Sequence, residues 1–467
     1  MKFTHFAGLD ILFGISGLST HVGSRPSPHP ILPAAGLRPV TVHRDALSPR
    51  VQNCRMTAES DCYTAAIGAG VDPSGTPWAE LDPALLHTKR SSVKWIRYPA
   101  DVLPMFVAEM DFAVAPEIRA ALHRAVEASD IGYVDSPVSY AEAFSDFVED
   151  RWAWRLPREY VRLTTDVATG VVEALRLTPK GQQGRLVLST PCYPGFFEML
   201  QELPFEVVEV PLLDDGTTAL NLEAIEREFE AGATAFILCN PHNPHGTPFD
   251  ADELSSLARL AAAHDVFVVS DEIHSPLTHH GTTFTPFAPL AAEAGALSVT
   301  VTSASKGWNL AGAKCASIVA ADERAHRLLD GLPPEVLTRT SILGVHAGIA
   351  AFTEARGWLD RAITQIQANQ RLFVALLAAQ LPSVGYTPGS AGYLAWLDLR
   401  GTGLGEAPAE RLLHEARIGL NDGKHFGAGG QGFARLNLAC APDTIVQGVE
   451  RIASLVAKAA AQTGDQA

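Results

Sequence analysis

Between Pro116 and Ser305 the sequence alternates between helical segments and short apolar runs that are rich in β-branched residues. The helical segments cover residues 170–177, 221–230 and 251–263, and the apolar runs cover residues 185–188, 236–238, 266–269 and 298–305. Such alternation is typical of βαβ units. Asp250 and Glu253 have the spacing of a capping box, which places the start of the third helix there. The sequence therefore predicts an α/β fold with a mostly parallel sheet between helices.

The pattern changes after residue 305. Helical stretches rich in Ala and Leu are followed by two predicted strands, at 393–399 and 433–438, and by an amphipathic helix that begins near Asp443. This order of helices and strands predicts a second, smaller α+β domain. Because 467 residues are more than one compact domain usually holds, we expect two domains. The predicted parts are an N-terminal segment that joins the small domain (75–115), a large domain (116–335) and a small C-terminal domain (336–467).

Residues 1–60 are predicted to form a disordered N-terminal arm. Most of this stretch is rich in Pro, Ser, His and Arg and shows no sustained apolar period, so burial could not offset the entropy lost on ordering it. Met56 opens a polar stretch typical of the start of a chain. We interpret Met56 as the true start of the protein, with residues 1–55 included by an erroneous assignment of the start codon. An intact mass of the native protein that corresponds to a chain beginning at Met1 would contradict this.

The charge and the cysteine content indicate which binding partners and which cellular compartment to expect. Lys and Arg number 36 and Asp and Glu number 52, which gives a formal net charge of −16. Since an acidic chain repels phosphate backbones and anionic lipids, we expect neither nucleic acid nor membrane as a partner. No apolar run reaches the roughly 18–20 residues of a membrane span. The six scattered cysteines contain no Cys-x-x-Cys pair, which favours a reduced, cytoplasmic compartment over a disulfide framework.

Polar groups follow the ends of four predicted strands, where open α/β folds bind ligands. A small-residue turn at 168–173 enters a helix, and such a turn suits a phosphate. Two Asn-Pro steps follow the second strand, at 240–246. Asp271 and Glu272 end the third, and a buried carboxylate there costs several kcal/mol unless a cation meets it. Lys306 follows the fourth strand among hydroxyl groups.

Each of these four features also has an ordinary structural interpretation. A helix start with Thr and Gly is commonplace, Asn beside Pro serves turns, and a lysine at a strand end is more often a surface residue than a Schiff-base amine. Together, however, a phosphate site, an amide, a carboxylate and a lysine at neighbouring strand ends meet the needs of one cofactor. We therefore predict that the chain binds pyridoxal 5′-phosphate.

Histidines close to these strand ends raise a metal site as an alternative. Their spacing forms no helical i, i+4 pair with a carboxylate, so we predict no metal. The histidines concerned are His242, His245, His274, His279 and His280. Cys192 and Cys239, which flank the same region, are interpreted as small apolar residues and not as nucleophiles.

The motifs resemble those of fold-type I pyridoxal phosphate enzymes of the aminotransferase class I/II superfamily. Residues 240–246, 270–274 and 303–306 occur in the order and approximate spacing of that superfamily. More narrowly, residues 94–112 and 433–437, together with the run Asp271-Glu272-Ile273-His274, are similar to the MalY/PatB group of carbon–sulfur β-lyases. The resemblance covers roughly residues 75–460. It implies a seven-stranded sheet in the large domain and a homodimer with shared active sites.

The resemblance also implies roles for individual residues. Lys306 would bind the cofactor covalently and then act as the base that moves the Cα proton of the substrate. Asp271 would pair with the pyridine nitrogen, and Arg435 would bind the substrate carboxylate. The other residues implied are Asn243 at the phenolic oxygen and near the substrate, Tyr193 on the ring face, His274 beside the ring, Gly170, Val171, Ser303 and Lys314 at the phosphate, Ser305 in the same lysine motif, and Tyr133 reaching the phosphate from the second subunit.

Three positions depart from the patterns of relatives. His274 stands where many aminotransferases have a tyrosine, and it favours the lyase interpretation. Lys314 stands where several relatives have Arg or Gln, which keeps a cation but loses bidentate geometry. Pro276 replaces an acidic residue that is frequent in the group, so the sequence leaves the preferred thioether open.

The resemblance thus predicts a β-lyase that acts on a small amino-acid substrate, L-cystathionine or a related S-substituted cysteine. The products would be a thiol, pyruvate and ammonia. A class I/II aminotransferase is the main alternative, because it would use the same residues. It would return a proton to the cofactor carbon and eliminate no leaving group. A regulatory protein that binds the cofactor is less favoured, because the N-terminal arm is too short and irregular to be a DNA-reading module.

Overall fold

Helices and strands alternate along most of the described chain. The computed structural model describes residues 58–213 and 218–464, which lie within one compact unit, Cys54–Ala467. Its helices are α1 (Ala58–Ile67), α2 (Pro83–Lys89), α3 (Val93–Ile96), α4 (Pro116–Glu127), α5 (Val138–Trp152), α6 (Val167–Arg176), α7 (Pro194–Leu200), α8 (Leu222–Glu230), α9 (Ala251–Ala263), α10 (Phe287–Ala294), α11 (Ala304–Gly307), α12 (Glu323–Leu329), α13 (Pro334–Thr338), α14 (Ile342–Phe352), α15 (Arg356–Gln380), α16 (Pro408–Glu415) and α17 (Pro442–Gly464). Its strands are β1 (Leu103–Pro104), β2 (Val161–Thr164), β3 (Arg185–Thr190), β4 (Glu206–Pro211), β5 (Ala233–Cys239), β6 (Phe267–Asp271), β7 (Ser298–Thr302), β8 (Ala316–Ala320), β9 (Gly385–Tyr386), β10 (Leu394–Asp398), β11 (Ile418–Gly419), β12 (Asn421–Asp422) and β13 (Phe433–Asn437).

Short polar side chains set several helix starts. Asp166, Asn221, Asp250 and Ser341 each accept a hydrogen bond from an amide in the first turn of α6, α8, α9 and α14. Such caps satisfy amides that the helix itself cannot pair. Asp250 accepts from the Glu253 amide at 2.8 Å, so the predicted start of α9 is confirmed.

Seven strands form the central sheet in the order β2-β8-β7-β6-β5-β3-β4. The neighbours from β7 to β4 are parallel, whereas β8 runs antiparallel to both β7 and β2. The prediction of an α/β fold with a mostly parallel seven-stranded sheet is therefore confirmed. Because parallel strands end at the same edge, residues that follow β3, β5, β6 and β7 meet there.

Both faces of the central sheet are covered by helices. Phe236 and Val268 lie in one buried cluster with residues of α8, α9 and α10. Their neighbours Ile237 and Val269 lie in a second cluster with residues of α6, α7 and α12. Burial on both faces explains why the strands read as continuous apolar runs in the sequence.

A smaller antiparallel sheet, in the order β12-β13-β10-β9, forms from the C-terminal part of the chain. Leu103 and Pro104 of β1 pair in parallel with β11, so residues just before the large sheet contact this C-terminal part. Within the described ranges, no helix has the length and apolar character needed to cross a membrane.

Two sequence predictions need comment at their boundaries. The strand predicted over 298–305 ends at Thr302, because Ser303 caps α11 by accepting a hydrogen bond from the Ser305 amide at 3.0 Å. The predicted N-terminal arm lies outside the described residues, except that residues 58–60 already belong to α1.

Candidate active site

The ends of the parallel strands bring most of the predicted site residues around one cavity of about 170 Å³. Lys306 lies on α11 just after β7, Asp271 ends β6, and Asn243 lies in the turn after β5. The predicted residues that line this cavity are Tyr193, Asn243, Asp271, His274, Ser303, Ser305, Lys306 and Lys314. The predicted residues outside its lining are Gly170, Val171, Arg435 and Tyr133.

Lys306 points into the cavity from a partly buried position. Its Nζ donates a hydrogen bond to the carbonyl of Ala108 at 2.9 Å. The pKa of the Lys306 amine is lowered to about 8, first by burial and next by the nearby Arg435 guanidinium, while the carboxylates of Asp271 and Glu109 raise it. A lysine with this pKa is neutral in a useful fraction near neutral pH, as a proton acceptor must be.

Asp271 lies buried at the end of β6. Its Oδ1 accepts a hydrogen bond from the Ile273 amide at 3.1 Å. Burial raises the pKa of this carboxyl to about 7, while that amide and the charge of Lys306 lower it. The cation expected near this strand end is Lys306, which acts through space without a direct ion pair. The carboxylate is thus open to a cationic ligand atom in the cavity.

Glu272 has a different role from its neighbour Asp271. Its Oε1 accepts hydrogen bonds from Ser270 Oγ and from the Phe287 amide, both at 2.9 Å. Burial raises the pKa of the Glu272 carboxyl to about 8. These bonds tie β6 to α10, so only one member of the acidic pair faces the cavity.

α6 begins where the sequence predicts a phosphate site, but the two amides assigned to the phosphate, those of Gly170 and Val171, lie further along the helix than the cavity lining. The Gly170 amide is already bonded to the Asp166 carbonyl at 2.9 Å, and Val171 lies fully buried in the core a residue further into α6. The first residues of α6 that line the cavity are Val167 and Ala168. Their amides precede the first intrahelical bond, so they are the ones open to an anion.

Gly170 has a role in helix packing. A Cβ atom at this position would lie 2.6 Å from Val301 Cγ1 and 3.1 Å from Thr164 Cγ2. The absence of a side chain therefore lets α6 approach β7 and β2 closely.

Hydroxyl groups and a lysine surround the same end of the cavity. Ser303 Oγ donates to the Cys315 carbonyl at 2.7 Å. Lys314 forms an ion pair with Asp166, with Nζ 2.8 Å from Oδ2. Asp166 was not among the predicted site residues, although an Asp three positions before Thr169 is a signal for a helix cap. It both caps α6 and holds Lys314 at the cavity.

Arg435, on β13, does not line the cavity, and only 3% of its surface is exposed. Its guanidinium donates to Asn243 Oδ1 at 2.9 Å and to Asn421 Oδ1 at 3.1 Å, and it lies 5.1 Å from the centroid of the Phe426 ring. Its Nε is buried without a partner among the described residues. Burial lowers the pKa of the guanidinium to about 10, so it is still a cation at neutral pH.

His274 and Cys239 also border the cavity. Burial, together with the charges of Lys306 and Arg435, lowers the pKa of His274 to about 3, so its imidazole is neutral. Burial raises the pKa of the Cys239 thiol, which keeps the sulfur protonated and unreactive. In the part of the chain that the structure describes, no three His, Cys, Asp or Glu side chains are grouped to hold a metal ion.

The residues around the cavity fit pyridoxal phosphate. A partly buried lysine lines it, a buried carboxylate with no ion-pair partner among the described residues lines it too, and the start of α6 provides free amides near Lys314. These groups match the aldehyde, the pyridine nitrogen and the phosphate of that cofactor.

Comparison with known proteins gives the family. The sequence model of the family described as Aminotransferase class I and II matches residues 100–452. The chain belongs to the aminotransferase class I and II family. Cystathionine β-lyase of Corynebacterium glutamicum is 35% identical over 79% of this chain and 97% of its own length. Cystathionine β-lyase PatB of Bacillus subtilis is 34% identical over 77% of this chain and 95% of its own length.

A solved structure agrees with the sequence comparisons. Cystalysin from Treponema denticola, whose structure contains a pyridoxal 5′-phosphate cofactor, has a TM-score of 0.73 and 27% identity. The match covers 78% of this chain and 95% of cystalysin. The predicted resemblance to fold-type I enzymes of the aminotransferase class I and II family, and within it to the MalY/PatB group, is confirmed.

Two of the predicted site residues are at least partly exposed: Tyr133 lies apart from the cavity, and Tyr193 lies at its border. Tyr133 is 91% exposed and does not line the cavity of its own chain. Tyr193 is 39% exposed at the cavity, where its ring packs edge-on against Phe196 with centroids 5.6 Å apart. Tyr193 is therefore positioned by the start of α7, whereas Tyr133 is free to contact another molecule.

Proposed function

We propose that this protein is a pyridoxal phosphate-dependent carbon–sulfur β-lyase that cleaves L-cystathionine or a related S-substituted cysteine. The observation that carries this proposal is one site that combines an amine of lowered pKa with a buried cation. Lys306 is a lysine of lowered pKa, and Arg435 is a guanidinium with an unpaired Nε. An α-amino acid needs both, a base for its Cα proton and a cation for its carboxylate.

Residues of the cavity hold the cofactor in this proposal. Lys306 would bond covalently to its aldehyde carbon, Asp271 would pair with its pyridine nitrogen and Asn243 would donate to its phenolic oxygen. Tyr193 would pack against the ring, and the neutral His274 would lie beside it. The amides of Val167 and Ala168 and the side chains of Ser303, Ser305 and Lys314 would bind the phosphate. When bound, the cofactor supplies an electron sink that stabilises negative charge at the substrate Cα.

The chain's own residues then bind the substrate and move its proton. Arg435 binds the substrate carboxylate through its planar guanidinium, with Asn243 fixing the plane of that group. Lys306, once its amine is free, removes the Cα proton. The Cβ–S bond breaks, the sulfur keeps the bonding electron pair, and a proton makes it a thiol. The three-carbon product takes up one water and ends as pyruvate and ammonium, which balances the reaction.

Transamination would use the same residues, so the geometry alone does not separate the two reactions. Relatives that are 34–35% identical over nearly their whole length are named cystathionine β-lyases, and they support elimination. The test is thiol release from L-cystathionine, with L-methionine as a control that has no leaving group on Cβ. Thiol from the first compound alone is expected. A protein loaded with cofactor that releases no thiol from L-cystathionine or S-methyl-L-cysteine would contradict the proposal.

The proposed active form is a homodimer with shared sites, and its proposed location is the cytoplasm. Tyr133 and its neighbour Ile131 are largely exposed large side chains, as expected for residues that reach a second copy. Tyr133 would contact the cofactor phosphate bound by that second copy. Light scattering should give twice the chain mass, and Tyr133→Phe should weaken cofactor binding without changing that mass.

The large domain (116–335) and the small domain (336–467), with residues 75–115 joining the latter, remain the proposed divisions of each copy.

A further inference from the structure

Residues 107–111 form a segment without helix or strand that lies beside the amine of Lys306. Ala108 in this segment lines the cavity, and its carbonyl accepts the hydrogen bond from Lys306 Nζ at 2.9 Å. A chain segment with no regular structure has no ladder of backbone bonds to fix it. The side chains that hold the segment therefore decide where the Lys306 amine rests.

Asn309 holds this segment through both ends of its amide group. Its Oδ1 accepts from the Met110 amide and its Nδ2 donates to the Met110 carbonyl, each at 2.9 Å. Asn309 follows Lys306 by three positions and has φ of 58°, in the left-handed region that Asn adopts more readily than most residues. One side chain thus connects the backbone that carries Lys306 to the segment that carries its acceptor.

The position of Asn309 is itself fixed by packing. Its neighbour Trp308 is fully buried, and Trp308 Nε1 donates to the Ala355 carbonyl at 2.9 Å. The Leu310 amide donates to the Ser305 carbonyl at 2.8 Å. Asn309 is therefore a rigid connection.

Other anchors of the segment come from distant parts of the chain. Asn437 Nδ2 donates to the carbonyls of Val107 and Glu109 at 2.8 and 2.7 Å. The ammonium of Lys94 donates to the Glu109 carbonyl at 3.0 Å and forms a buried ion pair with Asp111. These contacts hold the segment to β13 and α3, but neither is attached to the backbone around Lys306.

We propose that Asn309 is a positioning residue for proton transfer by Lys306. With Asn309 in place, the Ala108 carbonyl accepts one N–H of the free neutral amine, and the nitrogen lone pair is directed away from that carbonyl toward the cavity. Without it, the segment is held only by groups outside the backbone around Lys306, namely Arg90, Ser92, Lys94, Asn437 and the carbonyl of Ala439, and the amine samples other orientations. Because proton transfer depends on sub-ångström placement of the base, the chemical step slows. This inference rests on the proposed β-elimination.

Two variants and a control test it in the enzyme loaded with cofactor. Asn309→Gly keeps the left-handed backbone and removes both bonds, whereas Asn309→Asp keeps the acceptor for the Met110 amide. The control, Asn369→Ala, removes two buried bonds of the same kind, from Nδ2 to the carbonyls of Leu438 and Cys440. We expect kcat to fall about 10- to 100-fold in Asn309→Gly and less in Asn309→Asp, with KM changed by less than about threefold. The isotope effect of Cα-deuterated substrate on kcat should rise in both, and in the control it should equal that of the wild type.

A second measurement uses the protein without cofactor, so it does not depend on activity. Reductive methylation with formaldehyde and cyanoborohydride labels lysine amines, and peptide mass spectrometry gives the rate at each site. Lys306 should be labelled several-fold faster in Asn309→Gly than in the wild type, with Lys180 as an internal reference at an unchanged rate. If Asn309→Gly does not fold, Asn309→Asp gives the same comparison with a smaller change.

The outcomes separate the two proposals. An unchanged labelling rate and an unchanged isotope effect in the Asn309 variants would overturn the role of Asn309, even in an active lyase. If the wild type eliminates no thiol, the proposed function is wrong, and the labelling experiment alone then decides whether Asn309 places the Lys306 amine.

Discussion

Arg435 donates through Nη1 to Asn243 Oδ1 at 2.9 Å, and this bond joins β13 of the smaller sheet to the turn after β5 of the central sheet. Among the described residues, the guanidinium has amide and carbonyl partners but no carboxylate, and its Nε has none. A buried cation without a counter-ion is costly. The arrangement is therefore suited to an anion that arrives with the substrate.

Replacing Arg435 by lysine should weaken substrate binding. Arg435→Lys keeps a positive charge but loses the planar guanidinium and the bond to Asn243, so kcat/KM should fall about 10- to 100-fold, mostly through KM. Steady-state kinetics with L-cystathionine measure this. Arg411→Lys, at an exposed ion pair with Glu415, is the matched control. An unchanged KM in Arg435→Lys would show that the carboxylate binds elsewhere.

Activity should depend on pH through the amine of Lys306. Its pKa is lowered to about 8, and only the neutral amine accepts the Cα proton. The value of kcat should therefore rise with pH through about 8 and then level off. A kcat that is constant between pH 6 and 9, measured over a range in which the protein stays folded, would mean that another group removes the proton.

The Asp271 carboxyl should make the protein without cofactor less stable as the pH rises. Its pKa in the folded chain is about 7, above its ordinary value of 3.8, so between these values the folded state holds a proton that the unfolded state has released. Stability from this group is thus present below pH 4 and lost on the way to pH 7. Asp271→Asn has no such proton, so at pH 8 it should be more stable than the wild type by up to about 4 kcal/mol.

Urea unfolding of the cofactor-free protein at pH 5 and pH 8 measures this effect. The gain in Asp271→Asn should be clearly larger at pH 8, and turnover of the loaded variant should be severely reduced. Asp265→Asn, at an exposed carboxylate, should show little change at either pH. A gain of equal size at both pH values would argue against a raised pKa for Asp271.

Substitution at Gly170 should destabilise the fold by crowding. A Cβ there would lie 2.6 Å from Val301 Cγ1, so Gly170→Ala should lower the free energy of unfolding by about 1–3 kcal/mol. Gly312→Ala is the matched control, because nothing lies within 4 Å of a Cβ at that position. If Gly170→Ala is as stable as Gly312→Ala, α6 does not pack as tightly against β7 as described.

The central sheet could be predicted from the sequence because its signals are local. Each strand is a continuous apolar run, and several helices start at a capping side chain such as Asp250. The polar residues that end β5, β6 and β7 could be grouped because parallel strands share an edge. Asn243, Asp271 and Lys306 accordingly line one cavity.

Contacts between distant parts of the chain could not be predicted in this way. Asn437 bonds to the carbonyl of Val107 across 330 positions, and no spacing rule connects the two. The packing role of Gly170 was missed for a similar reason, since its neighbour Val301 belongs to a strand far along the sequence. Glu272 was paired with Asp271 because they are adjacent, whereas its actual partners, Ser270 and Phe287, turn it away from the cavity.

Sustained formation of pyruvate tests the account most directly. The protein loaded with cofactor is incubated with L-cystathionine and no 2-oxo acid, and pyruvate is measured per active site, with Lys306→Ala as the control. The account predicts many equivalents of pyruvate from the wild type and a rate at least about a thousandfold lower from Lys306→Ala. Conversion of the cofactor to its amine form once per site, followed by a halt until a 2-oxo acid is added, would instead identify an aminotransferase and contradict the account.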